Sequence, residues 1–341
     1  MAPDAKPLEG TVAVVAGATR GAGRGIARML GEAGAVVYAT GRSIRGKPAT
    51  KGRPETIEKT ADLVTAAGGL GIAVQVDHTD EGQVEALFRR IRRERGRLDL
   101  LVNDVWGGDE LTEWGKPIWE LSMDKGLTML GRAVHAHILT SRHGLPLMVE
   151  RNSGLVVEIT DGDFQGYRGT LFYDLSKISA LRLAYAMAVD LRRHNVTALA
   201  LTPGFLRTEA MLDHFRVTEG TWQDAIRKDR HFAESETPCY VGRAVAALAA
   251  DPEVHVRSGR AYTSWGLAKE YGFTDVDGRV PDWESHLERE IAAILDGAGP
   301  HDAADRSLLE IRYFQIHLDP SRAQQARRIA EALGESLPMI P

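Results

Sequence analysis

Tyr173 and Lys177 stand four residues apart in a stretch, 173–193, whose small and apolar residues recur at helical spacing. On a helix the two side chains share a face, one turn apart. An ammonium beside a phenol favours the phenolate and lowers a pKa that is otherwise ~10. A tyrosine tuned in this way can act as a general acid near neutral pH. The pair alone is a common accident of helical sequence, so its chemistry depends on what the rest of the chain brings to it.

The second group is a glycine loop. A run of β-branched residues ends in Gly17-Ala18-Thr19-Arg20-Gly21-Ala22-Gly23, and a helix-like segment follows. Residues without a Cβ permit the tight turn and let a pyrophosphate approach backbone N–H groups at a helix N-terminus. Glycine clusters are weak signals by themselves; a strand before and a helix after point to a dinucleotide loop. Gly17, Thr19, Arg20, Gly21 and Gly23 are its candidate cofactor contacts. Sites for NAD(H) often carry an acid near the end of the second strand, against the ribose hydroxyls. This chain reads Tyr38-Ala39-Thr40-Gly41-Arg42-Ser43 there, with no acid. Arg42, and Arg20 within the loop, can pair with a 2′-phosphate, which favours NADP(H) over NAD(H). Asp77, after the third strand, can accept from the adenine amine. Asn103, after the fourth, can stiffen the strand end beside the cofactor. Both residues also suit ordinary turns.

In this order, Gly17/Gly21/Gly23, Asp77, Asn103, Tyr173-x-x-x-Lys177 and Pro203-Gly204 resemble the short-chain dehydrogenase/reductase family over residues 8–278. The resemblance implies hydride transfer between a nicotinamide and a small carbonyl or alcohol substrate. Tyr173 would move the substrate proton, and Lys177 would bind the nicotinamide ribose and tune the phenol. Pro203 and Gly204 would border the nicotinamide, and Thr208 would touch its carboxamide or the phosphates. It also implies a homodimer or homotetramer. The stretch 271–278 is similar to the subgroup related to dehydrogenase/reductase member 1.

Three departures from the family pattern stand out. The family's carbonyl-holding serine falls in Glu158-Ile159-Thr160-Asp161-Gly162-Asp163. Counting from the strand puts Asp161 in that place; counting back from Tyr173 puts Thr160 there. A hydroxyl donates to a carbonyl and an ionised carboxylate does not, so the chemistry favours Thr160. The family's Asn-Asn-Ala-Gly run is Asn103-Asp104-Val105-Trp106 here, where Trp106 is a substrate wall or ordinary packing. The helical asparagine that supports a proton relay has no counterpart between 104 and 151; Ala133 occupies its place. These departures keep a second reading open, a protein of this fold that binds NADP(H) or another ligand without turnover.

The elements that must position these residues alternate. Strands are expected at 11–16, 35–39, 71–76, 98–102, 154–159, 196–201 and 260–263. Helices are expected at 26–33, 54–67, 81–95, 124–149 and 173–193. Such alternation means a doubly wound, Rossmann-like parallel sheet of about seven strands. Residues 1–283 are expected to form this domain, with a candidate substrate lid at about 205–237, since loops past the carboxyl ends of strands line the crevice. Residues 284–341 read as a helical C-terminal extension, with helices at 283–295 and 307–333. Trp106, Phe164, Tyr167 and Phe205 on the crevice side suggest a partly apolar substrate.

Composition narrows the alternatives. The 341 residues are 43% hydrophobic and 26% charged, with a net charge of -5. That is an ordinary globular balance and argues against a nucleic-acid partner. Cys239 is the single cysteine, so neither an internal disulfide nor a thiolate metal cage forms, and a reducing, cytoplasmic setting fits. The first ten residues lack the apolar core of a signal peptide, and no apolar run approaches a membrane span of ~20 residues. His135, His137 and His143 lack metal-ligand spacing, so no metal is expected. The basic run 89–97 reads as a solvated helix face. No G-x-S-x-G elbow supports a serine hydrolase.

Overall fold

The computed structural model describes residues 6–162, 166–297 and 299–334. Seven strands form one sheet: β1 (Val12–Ala16), β2 (Val36–Gly41), β3 (Leu70–Gln75), β4 (Leu100–Asn103), β5 (Gly154–Ile159), β6 (Val196–Thr202) and β7 (Ala261–Thr263). Their order is β3-β2-β1-β4-β5-β6-β7, and every pairing is parallel. The order reverses between β1 and β4, so the crevice opens past the carboxyl ends of those strands.

The two faces of the sheet bury alternate residues. Ala13, Val15, Val102 and Val157 pack with α1 (Gly21–Glu32) and α8 (Pro238–Ala250) through Ile26, Leu30, Val241 and Val245. Also on this side lie α2 (Ile57–Ala66) and α9 (Ser264–Tyr271), through Val64 and Leu267. Val12, Val14, Leu101 and Val156 face the other way. They meet Leu87, Phe88 and Ile91 of α3 (Glu81–Arg95), Leu147 and Met148 of α5 (Ala136–Val149), and Leu191 of α6 (Leu171–Leu191). A π-helical turn, Gly131–His135, joins α4 (Met123–Leu130) to α5.

Two expected boundaries move for physical reasons. The first helix begins at Gly21 rather than at 26, because Gly23 and Gly25 are themselves helical and allow close approach. A Cβ on Gly25 would lie 2.1 Å from the carbonyl oxygen of Pro238. The single helix expected over 307–333 is two, α11 (Ala303–Ile316) and α12 (Ala323–Leu333). Pro320 lacks an N–H and disfavours helix at the residue before it, and Asp319 turns the chain by accepting from Ser321 N at 2.9 Å.

Residues past β6 and past α9 build two further small cores. Around α7 (Glu209–Phe215), Phe215, Trp222, Ala225 and Phe232 are buried together. Farther on, Leu287, Ile291 and Ile294 of α10 (Trp283–Asp296) pack with Leu309, Tyr313 and Ile316 of α11 and Ile329 and Leu333 of α12.

Candidate active site

A cavity of 1060 Å³ opens at the carboxyl end of the sheet. Gly17, Thr19, Arg20 and Gly21 form one side of it. Gly17 has φ +92, and a Cβ there would lie 2.3 Å from the carbonyl oxygen of Asp104. Only glycine combines that conformation with that contact. The N–H groups of Gly17 and Ala18 bind Thr40 O, which seats the loop on β2. A Cβ on Gly23 would meet Gly17 O at 2.6 Å and Asp104 Oδ2 at 2.8 Å. Gly23 is therefore a packing residue behind the loop, not one of the cavity-lining residues as expected. Glu209 Oε2 accepts from Gly21 N at 2.8 Å, and Glu209 Oε1 lies 3.3 Å from Arg24 Nη1. A carboxylate from α7 thus sits where a helix N-terminus favours an anion.

Arg42 and Asp77 face each other across the far end, Nη1 to Oδ2 at 4.0 Å. Asp77 also accepts from Thr79 N and Oγ1 at 3.0 and 2.7 Å. Burial opposes ionisation of Asp77, but these bonds and Arg42 hold its pKa below the usual range. Arg20 Nη2 donates to Thr50 Oγ1 at 3.3 Å. The donor set fits a dinucleotide: a glycine-containing loop at a helix N-terminus, two arginines, and a carboxylate facing one of them.

Tyr173 and Lys177 line the same cavity, as do Pro203, Gly204 and Thr208; Thr208 lies against the glycine loop, its Cγ2 3.5 Å from a Cβ built on Gly21. Tyr173 lies edge-on to Trp106, centroids 5.6 Å apart, and tilted against Trp114 at 5.1 Å. Lys177 Nζ sits 4.1 Å over the Trp106 ring and 5.4 Å from the Tyr173 ring. Trp106 is therefore a wall of the site, fixed by its Nε1 donating to Asp109 Oδ1 at 2.6 Å. Desolvation lowers the Lys177 pKa against the pull of Asp161, Asp104 and Asp109. Thr208 caps α7, accepting from Met211 N at 3.2 Å.

The serine position resolves against the sequence preference. Thr160 is buried, and its hydroxyl donates to the carbonyl oxygen of Lys177 at 2.7 Å. Asp161 instead faces the phenol: Tyr173 Oη donates to Asp161 Oδ2 at 2.6 Å. Both residues border the cavity, and Gly162 turns the chain just after them with φ +81. Desolvation and the Asp161 charge raise the Tyr173 pKa well above its ordinary value. The phenol is therefore held protonated, contrary to the lowering expected from Lys177 alone.

A polar layer lies buried behind the site. Asn103 is outside the cavity lining; its Nδ2 donates to Glu158 Oε1 at 2.6 Å and to Ser141 Oγ at 2.9 Å. It braces the end of β4 rather than touching the cavity. His137 Nδ1 lies 2.6 Å from Glu158 Oε2, and Nε2 lies 3.0 Å from Val105 O. Burial opposes protonation of His137, but Glu158 overcomes it and raises the pKa. His78 lies between Thr40 Oγ1 and Thr140 Oγ1, both at 2.8 Å, and burial lowers its pKa to about 3. Asp104 lines the cavity, and burial raises its pKa to about 7. Ala133 sits in the π-helical turn. The sequence reading dismissed His137 as a metal ligand but missed its partner, because Glu158 is on a different element.

The remaining wall comes from segments with no clear motif. Trp283, Leu287 and Ile291 of α10 and Leu308, Ile311 and Arg312 of α11 line the cavity. Arg312 is buried and pairs with Glu284 at 2.7 Å and with Glu288. Phe205 also lines the cavity and packs on Trp283, centroids 5.7 Å apart. Tyr167 packs instead on Phe314 at 6.4 Å, and Phe164 lies outside the described residues. Among the described residues no cluster of His, Cys, Asp and Glu could hold a metal ion.

A family model for short chain dehydrogenase matches residues 11–217. The chain is 36% identical over 285 residues to Dehydrogenase/reductase SDR family member 1 of Mus musculus, covering 82% of this chain and 88% of that protein. The Homo sapiens protein of that name is 36% identical over 287 residues, with the same coverage. Among solved structures, a short chain dehydrogenase from Mycobacterium thermoresistibile superposes with a TM-score of 0.67 at 21% identity, over 81% of this chain and 93% of that one. That likeness concerns the fold; the sequence matches carry the family, and on them the chain belongs to the short-chain dehydrogenases/reductases, which bind a nicotinamide cofactor.

Proposed function

We propose that this chain is an NADP(H)-dependent oxidoreductase acting on a secondary alcohol or carbonyl compound, with Tyr173 as the proton-transferring group. One observation carries the reading: the Tyr173–Lys177 pair and the glycine loop line the same cavity. The bound nicotinamide supplies the hydride chemistry. The residues of this chain do the rest. Gly17, Thr19, Arg20 and Gly21 hold the diphosphate, and Arg42 takes the 2′-phosphate, with Asp77 at the adenine. Pro203, Gly204 and Thr208 border the nicotinamide, Lys177 holds its ribose, and Tyr173 exchanges a proton with the substrate oxygen.

The wall formed by Trp283, Leu287, Ile291, Leu308 and Ile311 supports an extended, largely apolar substrate. On this reading 205–237 is a substrate lid, and the C-terminal helices set substrate length. Exposed apolar side chains on α4 and α6, Leu127, Leu175 and Tyr185, support pairing of these helices in a homodimer or homotetramer. No described helix is long and apolar enough to cross a membrane. A cytoplasmic setting is in keeping with Cys239, the single cysteine, standing free and buried.

The test has two stages. NADPH should raise the melting temperature more than NADH does, and the purified protein should then turn over members of an alcohol and ketone panel. Tyr173→Phe should lower turnover by at least about 100-fold while NADPH binding stays nearly unchanged. A second reading, binding without turnover, is favoured by the carboxylate of Asp161 standing beside the phenol. NADPH binding with no Tyr173-dependent hydride transfer across the panel would replace the first reading with this one.

A further inference from the structure

We propose that Asp161 is the proton partner behind Tyr173, so that a proton leaving an alcohol passes to the phenol oxygen while the phenol's own proton passes to Asp161. The inference rests on the oxidoreductase reading and deepens it. It replaces a hydroxyl that merely holds the substrate oxygen with a carboxylate that can accept a proton.

Three observations carry it. The phenol already donates to Asp161 Oδ2 at 2.6 Å, so the second bond of the relay exists before any substrate arrives. The neighbouring hydroxyl that could have served instead, on Thr160, donates to the Lys177 carbonyl at 2.7 Å. The backbone that carries Asp161 is also held on both sides of the residue. Arg168 Nε donates to the Asp161 carbonyl oxygen, and Gly162 N donates to Thr202 Oγ1 at 2.8 Å. The charged groups facing the pair are Lys177 on α6, Asp109 and Asp104 on the segment after β4, and Arg168 on the turn before α6.

A phenol that donates to an ionised carboxylate keeps its proton. Tyr173 therefore does not wait as a phenolate for an alcohol; it passes one proton on as it takes another. In oxidation the carbinol carbon gives up a hydride to the oxidised nicotinamide and the C–O bond becomes C=O. The hydroxyl proton moves to Tyr173 Oη, and the Tyr173 proton moves to Asp161, which ends as the neutral acid. Reduction runs the same transfers backwards and starts from protonated Asp161. The two directions therefore need opposite forms of one group. Oxidation should gain rate as Asp161 ionises, and reduction should lose rate over the same pH interval.

The test compares Asp161→Asn, which keeps the shape, and Asp161→Ser, which restores a hydroxyl, with the parent. In the parent, kcat/KM for a secondary alcohol should show an acid limb, and kcat/KM for the matching ketone should fall across that same interval. Both limbs should vanish in Asp161→Asn, with turnover lower by about 100-fold in each direction. A second measurement needs neither cofactor nor turnover. Ultraviolet titration of the cofactor-free parent, less that of Tyr173→Phe, isolates tyrosinate formation at Tyr173. Its midpoint should fall by about one pH unit or more in both Asp161 variants. Circular dichroism confirms that each variant is folded. Tyr173-dependent turnover with both limbs intact in Asp161→Asn would overturn the relay and leave the oxidoreductase reading standing. If no substrate turns over, the titration still decides, since an unmoved midpoint shows that carboxylate and phenol do not share the proton.

Discussion

The two sides of the cavity are built on different principles. On the cofactor side, backbone geometry dictates residue type: Gly17 at φ +92 sits against a carbonyl, with the loop hung on Thr40 O. On the substrate side, glycines such as Gly162 at φ +81 also shape turns, but most of the wall is side-chain packing. Small cores around Phe232 and Tyr313 carry the walls, and buried arginines hold them in place. Arg207 is fully buried, reaches Glu219 and Asp277 at 2.8 and 2.7 Å, and lies 4.3 Å over Trp222. A ligand common to a whole family needs a fixed cradle, whereas a substrate that differs between members needs walls that can be rebuilt. The first kind of site shows in sequence as glycine spacing. The second shows only as composition.

The sharpest way to break this comparison is Gly17→Ala. The added Cβ meets Asp104 O at 2.3 Å, and the residue sits at positive φ. The combined cost should be about 3–5 kcal/mol, read as a lower melting temperature and at least a 100-fold loss of NADPH affinity. Gly46 is the control. It also has positive φ, +75, but nothing lies within 4 Å of a built Cβ. Gly46→Ala should cost only the conformational part, about 1–2 kcal/mol, and leave NADPH binding nearly unchanged. Equal losses at both sites would mean that the close approach at Gly17 is unimportant.

On the other side, Arg207→Met keeps much of the volume and removes the charge. Asp277 retains Arg279 at 3.1 Å, and Glu219 is half exposed, so the loss is softened by solvent. A cost of about 2–3 kcal/mol is expected, below the usual range for a broken buried pair. Hydrogen exchange should locate the loosening in 205–237, while NADPH affinity stays nearly unchanged. A matching loss of NADPH affinity would show that the two sides are not separable.

The same contrast explains what was legible in the sequence. The strand alternation, the glycine loop and the Tyr173–Lys177 spacing could be read because each reflects local geometry. The identity of the phenol's partner could not, because Thr160 and Asp161 are adjacent, and only their hydrogen bonds in three dimensions tell them apart. The pair His137–Glu158 was invisible for a different reason: each residue is unremarkable alone, and α5 and β5 bring them together. The break at Pro320 was readable, since proline inside a helical pattern is a stop signal; amphipathic periodicity on both sides masked it. Nothing in the spacing of residues 283–316 announced that α10 and α11 close the cavity.

Glu209 is where the two sides meet, and it gives the smallest expected effect. Its carboxylate reaches from α7 to Gly21 N at 2.8 Å and to Arg24 at 3.3 Å. An anion at this helix N-terminus competes with a dinucleotide diphosphate for the same donors and the same dipole. Glu209→Gln keeps an acceptor and removes the charge. NADPH affinity should therefore rise by about 2–5-fold, or about 0.4–1 kcal/mol, in line with helix-terminus charge effects. The side chain is partly exposed, so the gain should shrink as ionic strength rises. Titrations of both proteins at low and high salt measure it. Weaker binding in the variant would reverse the sign and make Glu209 a brace that holds the loop in shape for the cofactor. In that event the cofactor side, too, would depend on a contact from a distant element, and its independence from the lid would be lost.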